Sequence, residues 1–341
     1  MVQLSKLSKI SKLSEKVKLV FAITIVVQTC MIKYYKEQNI TKGTIVMSYF
    51  INKEQRAEKA RNHAKIMEEK YSEEIKMCVE NTAIYDSHNV SDSSYRTIGQ
   101  TCIQLYSADS VFTILFEKEN DDLNRKNNKI AVLNFASFKN PGGMFYNGSS
   151  AQEESLCHES FLYNVLKRFE NSYYKENKKH LNRALYQDRC LYSPSVVFRL
   201  GDTVVECDVI TCAAPNKKAA QKYQNVTDEE NLKVLKNRIK FIFNVANMQN
   251  VDTLILGAFG AGVFGQDPKE VASCFMAELA TKKYNFKNVI FAVPRKNDDR
   301  FDQFNKNYYE FEKVMKEYKE TMQTSSGSWG SLIVEEVSEN D

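Results

Sequence analysis

The stretch running from Asn140-Pro141-Gly142-Gly143 to Gln152-Glu153-Glu154 joins the residue types of an anion cradle to those of an acid/base site. Glycines in such a turn reach positive φ at little steric cost and let backbone N–H groups approach an anion with no Cβ in the way. The carboxylates follow at the opening of an apolar-periodic helix, in the run Glu153-Glu154-Ser155-Leu156-Cys157-His158-Glu159-Ser160-Phe161-Leu162-Tyr163. Neighbouring residues on a helix point about 100° apart, so Glu153 and Glu154 are not expected to face one substrate atom. One carboxylate is expected to do the chemistry and the other to orient the substrate.

A second glycine cluster follows Leu254-Ile255-Leu256 in the run Gly257-Ala258-Phe259-Gly260-Ala261-Gly262-Val263-Phe264-Gly265, and Asp267-Pro268 then opens a helical pattern. Strand, glycine loop and helix N-terminus in that order make a recurrent anion site. Either loop alone is an ordinary structural turn; two of them, one leading into Gln-Glu-Glu, point to a ligand.

The elements that must position these groups alternate along the chain. Ile130 to Phe135 reads as a central strand after the polar loop 119–128, and a helix is expected from Glu153 to about Phe169. Strands are expected around Ser195 to Arg199, Cys207 to Cys212, Thr253 to Ala258 and Val289 to Val293. Helices are expected over Asp228 to Gln249 and Pro268 to Lys283, and from Asp302 onward. Such alternation predicts an α/β sheet covered on both faces. The segment Asn52 to Glu80 is charged and helical in period, with Ile66, Met67, Ile75, Met77 and Cys78 as inward candidates. It reads as a solvated helix packed on the main domain.

Five segments now carry a resemblance: Val132-Leu133-Asn134-Phe135-Ala136-Ser137, Asn140-Pro141-Gly142-Gly143, Ala151-Gln152-Glu153-Glu154-Ser155-Leu156-Cys157, Asp208-Val209-Ile210-Thr211-Cys212-Ala213-Ala214-Pro215-Asn216 and Gly260-Ala261-Gly262-Val263-Phe264-Gly265-Gln266-Asp267-Pro268. Together they resemble the microbial-type poly(ADP-ribose) glycohydrolase family, a branch of the macrodomains, in order from about Glu54 to about Phe311. The resemblance implies a macrodomain-like three-layer sandwich, with a mixed central sheet, helices on both faces and an N-terminal helical extension. It implies domains at 1–45 (a basic and apolar segment), 46–125 (the extension and first strands), 126–318 (the catalytic core) and 319–341 (a disordered tail).

The same resemblance implies the reaction. The diphosphate of ADP-ribose would be held by backbone donors of Gly142 and Gly143 and of Gly260, Ala261, Gly262, Val263 and Phe264. Glu154 would protonate the departing oxygen of the ribose–ribose bond and then activate water. Glu153 would bind ribose hydroxyls, Gln152 would join it on the substrate side, Asn134 and Asn140 would face the ribose or position the loop, and Phe264 would orient the distal ribose. Neither metal nor cofactor is required. The expected partners are ADP-ribose, poly(ADP-ribose) or ADP-ribosylated proteins. Met144 stands where the family usually has a third glycine, so its side chain must point away from the diphosphate or crowd it. Phe259 and Ala261 replace a common Trp and Cys with tolerable changes in size.

Composition bounds the remainder. Of 341 residues, 43% are hydrophobic and 26% charged, which is ordinary globular usage. Basic and acidic residues, 47 and 43, nearly balance, so direct nucleic-acid binding is not expected. Eight cysteines form no Cys-x-x-Cys pair, and point to reduced, mostly buried thiols and a cytoplasmic location rather than zinc or disulfides. At the N-terminus, Lys6, Lys9, Lys12, Lys16 and Lys18 precede the apolar run 19–32. That run has three readings: an amphipathic or buried helix, a membrane anchor or signal, or an overextended start.

Single residues have plain structural readings. Asp267 is expected to cap a helix, Cys157 to fill the core, His158 to sit near the surface or behind the carboxylates, and Arg295-Lys296 to lie in a solvated loop. Two other functions share the pocket: a macrodomain that binds ADP-ribose without cutting it, and a hydrolase of mono-ADP-ribosylated substrates.

Overall fold

The structure, a computed structural model, describes residues 52–92, 101–296, 302–324 and 337–338. The apolar run 19–32 and, within the expected tail 319–341, residues 325–336 and 339–341 lie outside the described residues. Contacts divide the chain into Asn52–Glu336 and a second unit of Met1–Ile51 with Val337–Asp341. In the second unit only the strand Val337–Ser338 is described.

In the main unit the helices are α1 (Lys53–Lys70), α2 (Ser72–Asn81), α3 (Ser110–Leu123), α4 (Gln152–His158), α5 (Leu162–Arg168), α6 (Lys175–Asn177), α7 (Lys217–Gln224), α8 (Asp228–Met248), α9 (Pro268–Ala280) and α10 (Asp302–Thr324). The strands are β1 (Ala83–Asp86), β2 (Cys102–Ser107), β3 (Ile130–Phe135), β4 (Arg189–Leu200), β5 (Thr203–Cys212), β6 (Thr253–Leu256) and β7 (Asn288–Ala292). They lie in the order β1-β4-β5-β3-β6-β7-β2. From β5 to β2 neighbours are parallel, whereas β1-β4-β5 are antiparallel.

The sheet is covered on both faces because its side chains alternate with period two. Ala131 and Leu133 of β3 and Leu254 and Leu256 of β6 pack with Ile239, Ile242, Phe275 and Phe311 from α8, α9 and α10. Ile130, Val132 and Ile255 point the other way, onto Ile114, Leu156, Leu162 and Leu166 from α3, α4 and α5. The expected mixed sheet between helical layers is therefore the observed one.

Three boundaries and one helix face depart from the sequence reading. The helix expected over 153–169 is broken into α4 and α5, because Ser160 pairs with Phe198 of β4 and turns its hydroxyl back on Leu156 O (2.6 Å). The loop expected at 119–128 begins late, since α3 continues to Leu123. The last helix runs to Thr324, past the boundary at 318. In α1 and α2, Ile66 and Met77 are about half exposed (53% and 55%), and the inward stripe is Ala57, Ala60, Ala64 and Met67, continued by Ile75 and Cys78. Small side chains let α1 approach the domain closely; Ile66 lies about 100° from Met67 and so faces out. Asp267 does cap α9, its Oδ1 accepting from Lys269 and Glu270 N–H. Seven cysteines are described, all free and all buried except the half-buried Cys102.

Candidate active site

Three adjacent parallel strands, β5, β3 and β6, end on the same edge of the sheet, where ligands of α/β proteins bind. The loops that leave them are interlocked. Phe135 at the end of β3 packs edge-on against Phe259 at 5.8 Å, and a Cβ on Gly257 would lie 3.0 Å from the Phe135 ring and 2.6 Å from Ala292 O. A Cβ on Gly260 would lie 2.7 Å from Ala214 Cβ, and Gln266 Nε2 donates to Pro215 O (2.8 Å), tying the loop after β6 to the one after β5.

The first glycine loop turns tightly. Gly142 and Gly143 both have positive φ (64° and 61°). Gly143 N–H closes onto Asn140 O (3.1 Å), Asn140 N–H donates to Ser137 Oγ (3.2 Å), and Phe145 N–H returns to Gly142 O (3.0 Å). Beneath Gly142 the ring of Tyr163 leaves no room for a Cβ, which would meet its Cδ2 at 2.7 Å; Tyr146 stacks on that ring at 4.3 Å.

Both carboxylates reach Gly143. A Cβ there would lie 2.6 Å from Glu154 Oε1 and 2.8 Å from Glu153 Oε2. The divergence expected of helix neighbours is thus overcome by side-chain length, and the two groups flank one point. Glu154 is held at both oxygens by backbone donors: Met144 N–H to Oε1 (2.8 Å) and Ala151 N–H to Oε2 (3.1 Å). Glu153 accepts from Ser137 N–H (2.7 Å) and from Asn134 Nδ2 (3.4 Å). Burial, with the charge of Glu154 alongside, raises Glu153 well above the usual carboxylate range, against the Ser137 and Asn134 bonds.

The flanking residues divide into those that bind and those that position. Gln152 is engaged at both ends of its amide: its oxygen accepts from Phe135 N–H (2.8 Å), and its nitrogen donates to Leu133 O (2.9 Å) and Ser110 Oγ (3.0 Å). It pins the start of α4 to the end of β3, and does not turn its amide to the substrate side. Asn134 is fully buried and also bonds Thr211 Oγ1 (3.3 Å), while its Oδ1 has no partner. The Met144 side chain is 46% exposed, and its Sδ lies 3.7 Å from Asn147 Nδ2. Cys157 Sγ would lie 3.4 Å from a Gly142 Cβ, and burial first, then both glutamates, push its thiol well up, so it is a core filler. His158 packs edge-on against Phe145 at 4.6 Å, and burial lowers it to about 4. Arg295 lies over the rings of Tyr308 and Tyr309.

The second loop has a different economy of donors. Ala261 N–H returns to Ala258 O, Gly265 N–H to Gly262 O and Gln266 N–H to Gly260 O. Among the described residues the N–H groups of Gly262, Val263 and Phe264 have no partner within the chain, and Val263 is 79% exposed. Successive unpaired N–H groups are what an anion concavity requires. In the first loop, by contrast, the Gly143 and Met144 donors are already used, so a diphosphate held by Gly142 and Gly143 together does not fit; of these three, the Gly142 N–H is the one left open.

Sequence reasoning missed several groups. Ser137, Met144 and Ala151 act through backbone N–H, which leaves no side-chain signature. The stack of Phe138 on Tyr186 (4.4 Å), with Phe264 edge-on to Tyr186 (6.1 Å), joins residues distant in sequence beside the second loop. Among the described residues no group of three or more His, Cys, Asp or Glu gathers as a metal site.

Residues 50–200 match the family model of the microbial-type poly(ADP-ribose) glycohydrolase (PARG) catalytic domain. Solved structures similar to this chain include PARG from Deinococcus radiodurans in complex with ADP-ribose, 30% identical with a TM-score of 0.60, covering 70% of this chain and 98% of that one. PARG from Thermomonospora curvata, bound to the inhibitor ADP-HPD, is 26% identical with a TM-score of 0.62, covering 76% and 98%. No curated protein sequence matches the chain. The sandwich is macrodomain-like, as the motifs implied.

Proposed function

The chain belongs to the microbial-type poly(ADP-ribose) glycohydrolase family, and from that premise we propose that Glu154 is the acid/base of the reaction while Glu153 holds the sugar. The enzyme is an ADP-ribose glycohydrolase that cuts the ribose–ribose O-glycosidic bond of poly(ADP-ribose) and releases ADP-ribose. The observation that carries the division of roles is the anchoring of Glu154 at both oxygens by Met144 and Ala151 N–H groups, beside the Cβ-free face of Gly143.

Glu154, protonated, gives its proton to the departing ribose oxygen as the anomeric carbon gains oxocarbenium character. The carboxylate left behind is met by two N–H donors already in place, which costs no reorganisation during the reaction. It then takes a proton from the water that attacks the anomeric carbon, and the cycle closes. Glu153, which burial holds toward its neutral form, hydrogen-bonds ribose hydroxyls, and Asn134 acts through it. Its unpaired Oδ1 is a buried acceptor worth about 1–3 kcal/mol to satisfy, available to a water or sugar hydroxyl. The diphosphate lies on the N–H groups of Gly262, Val263 and Phe264, with Gly142 as the contribution of the first loop.

Release of ADP-ribose from poly(ADP-ribose) by the purified protein and by Glu154→Gln tests this reading. The expected result is turnover by the wild type and a loss of about 10²–10⁴-fold in the variant, with ADP-ribose raising the melting temperature of both. Wild-type turnover in the variant would remove Glu154 from the chemistry. A wild type that binds ADP-ribose but releases none would make the protein a binding module or a hydrolase of mono-ADP-ribosylated substrates.

A further inference from the structure

The loop between Met144 and Ala151, whose two end residues hold Glu154, is itself gripped from outside the sandwich. Arg56 Nε donates to Gly148 O (2.8 Å), Arg61 donates to Tyr146 O (3.4 Å), and His63 stands edge-on to Phe145 at 6.4 Å. All three belong to α1. Contact is close enough that a Cβ on Gly148, which has a φ of 74°, would lie 2.0 Å from Lys53 O and 3.0 Å from Ala57 N. Helix α1 is in turn fixed to α5, whose Tyr163 lies beneath Gly142. Asn164 Nδ2 donates to Ala64 O (2.9 Å) and Glu68 (2.8 Å), Arg168 pairs with Glu68 at 2.5 Å, and His63 Nε2 donates to Ser160 O (2.9 Å).

We infer that α1 is a brace for the catalytic carboxylate, with Arg56 as a positioning residue that acts through Gly148 and the turn Phe145–Asn147 on the two N–H groups holding Glu154. The inference rests on the acid/base role of Glu154. Its physical basis is the geometry of the turn. Met144 and Ala151 are separated by a short 3₁₀ turn and three further residues, whose backbone bonds run back only to Met144 and Phe145, so their N–H directions depend on where the turn sits. The grip of α1 on Gly148 O and Tyr146 O, together with the absence of a Cβ at Gly148, sets that position.

The brace is tested with Arg56→Ala, Gly148→Ala and, as a surface control on the same helix, Glu58→Gln. Arg56→Ala is expected to lower kcat about ten- to a hundredfold while the Kd for ADP-ribose and the melting temperature stay near wild type. Gly148→Ala is expected to act in the same direction and more strongly, and Glu58→Gln to leave kcat unchanged. Hydrogen exchange adds a readout independent of turnover: in Arg56→Ala the Met144 and Ala151 amides should exchange faster, with the 258–266 loop unaltered. Unchanged exchange at those amides, or an Arg56→Ala enzyme with wild-type kcat, would overturn the brace. A wild type without turnover would sink the reaction assigned to Glu154, leaving the exchange result to decide whether α1 holds the loop.

Discussion

The two glycine loops leave neighbouring strands on the same edge of the sheet, yet they use their backbone donors in opposite ways. In the loop after β3, the Gly143 N–H closes the turn and the Met144 N–H goes to Glu154, so these two donors shape the site and the Gly142 N–H is left for a ligand. In the loop after β6, three successive N–H groups, at Gly262, Val263 and Phe264, are left for a ligand among the described residues. Glycine therefore serves two purposes here. At Gly143 it makes room for two carboxylates, whereas at Gly260 it lets the loop fold over Ala214 and Gln266 so that the residues after it present their N–H groups.

That contrast sorts substitutions by the kinetic parameter they change. The largest effect is expected of Gly143→Ala: its Cβ would overlap oxygens of Glu154 and Glu153, and the left-handed backbone adds about 1–2 kcal/mol of strain. Displacing both carboxylates should cut kcat about a hundredfold, read from steady-state release of ADP-ribose, with a smaller change in affinity. Gly260→Ala comes next. Its Cβ would meet Ala214 Cβ at 2.7 Å and Gln266 Cγ at 2.9 Å at a φ of 77°, moving the loop that carries the open donors. ADP-ribose binding by calorimetry should weaken about tenfold, equivalent to about 1.4 kcal/mol, with kcat on saturating substrate little altered.

A subtler effect separates the two carboxylates. Glu153 has a folded pKa raised by burial above its ordinary 4.5. A carboxyl shifted in that direction binds its proton more tightly in the folded state, so its contribution to stability is complete below the unfolded value and is lost as pH rises through the folded one. Glu153→Gln removes the titration. The melting temperature of the variant relative to wild type should therefore rise as pH is taken from about 5 to about 8; a difference that stays flat would contradict a raised Glu153. The smallest effect is expected at Gly262, where an added Cβ meets nothing within 4 Å. Gly262→Ala should leave stability and ADP-ribose affinity within about twofold of wild type, consistent with an exposed change of about 0.5 kcal/mol or less.

Much of the fold was readable where a pattern was long and its flanks well marked. β3 has the ends expected of it, and Asp267 caps α9 because Asp-Pro at a helix start leaves few alternatives. The single helix expected over 153–169 failed because its break depends on Ser160 pairing with Phe198, a contact across a long sequence separation that no local period records. The inward face of α1 was half read for a related reason: Met67 is buried as expected, but Ile66 is not, and close approach required alanines that carry little hydrophobic signal. At the site, residue types were legible and their duties less so. Gln152 looked like a ligand contact but spends its amide on β3, and the donors that hold Glu154 are main-chain groups of residues with no polar side chain to advertise them.

The measurement that tests the division of labour most directly sets Gly143→Ala beside Gly260→Ala, with the single-turnover rate on poly(ADP-ribose) and the Kd for ADP-ribose determined for each. The expected result is crossed: the first variant loses rate and keeps most of its affinity, and the second loses affinity and keeps most of its rate. If both variants lost the same parameter to the same extent, the assignment of chemistry to one loop and anion binding to the other would be wrong.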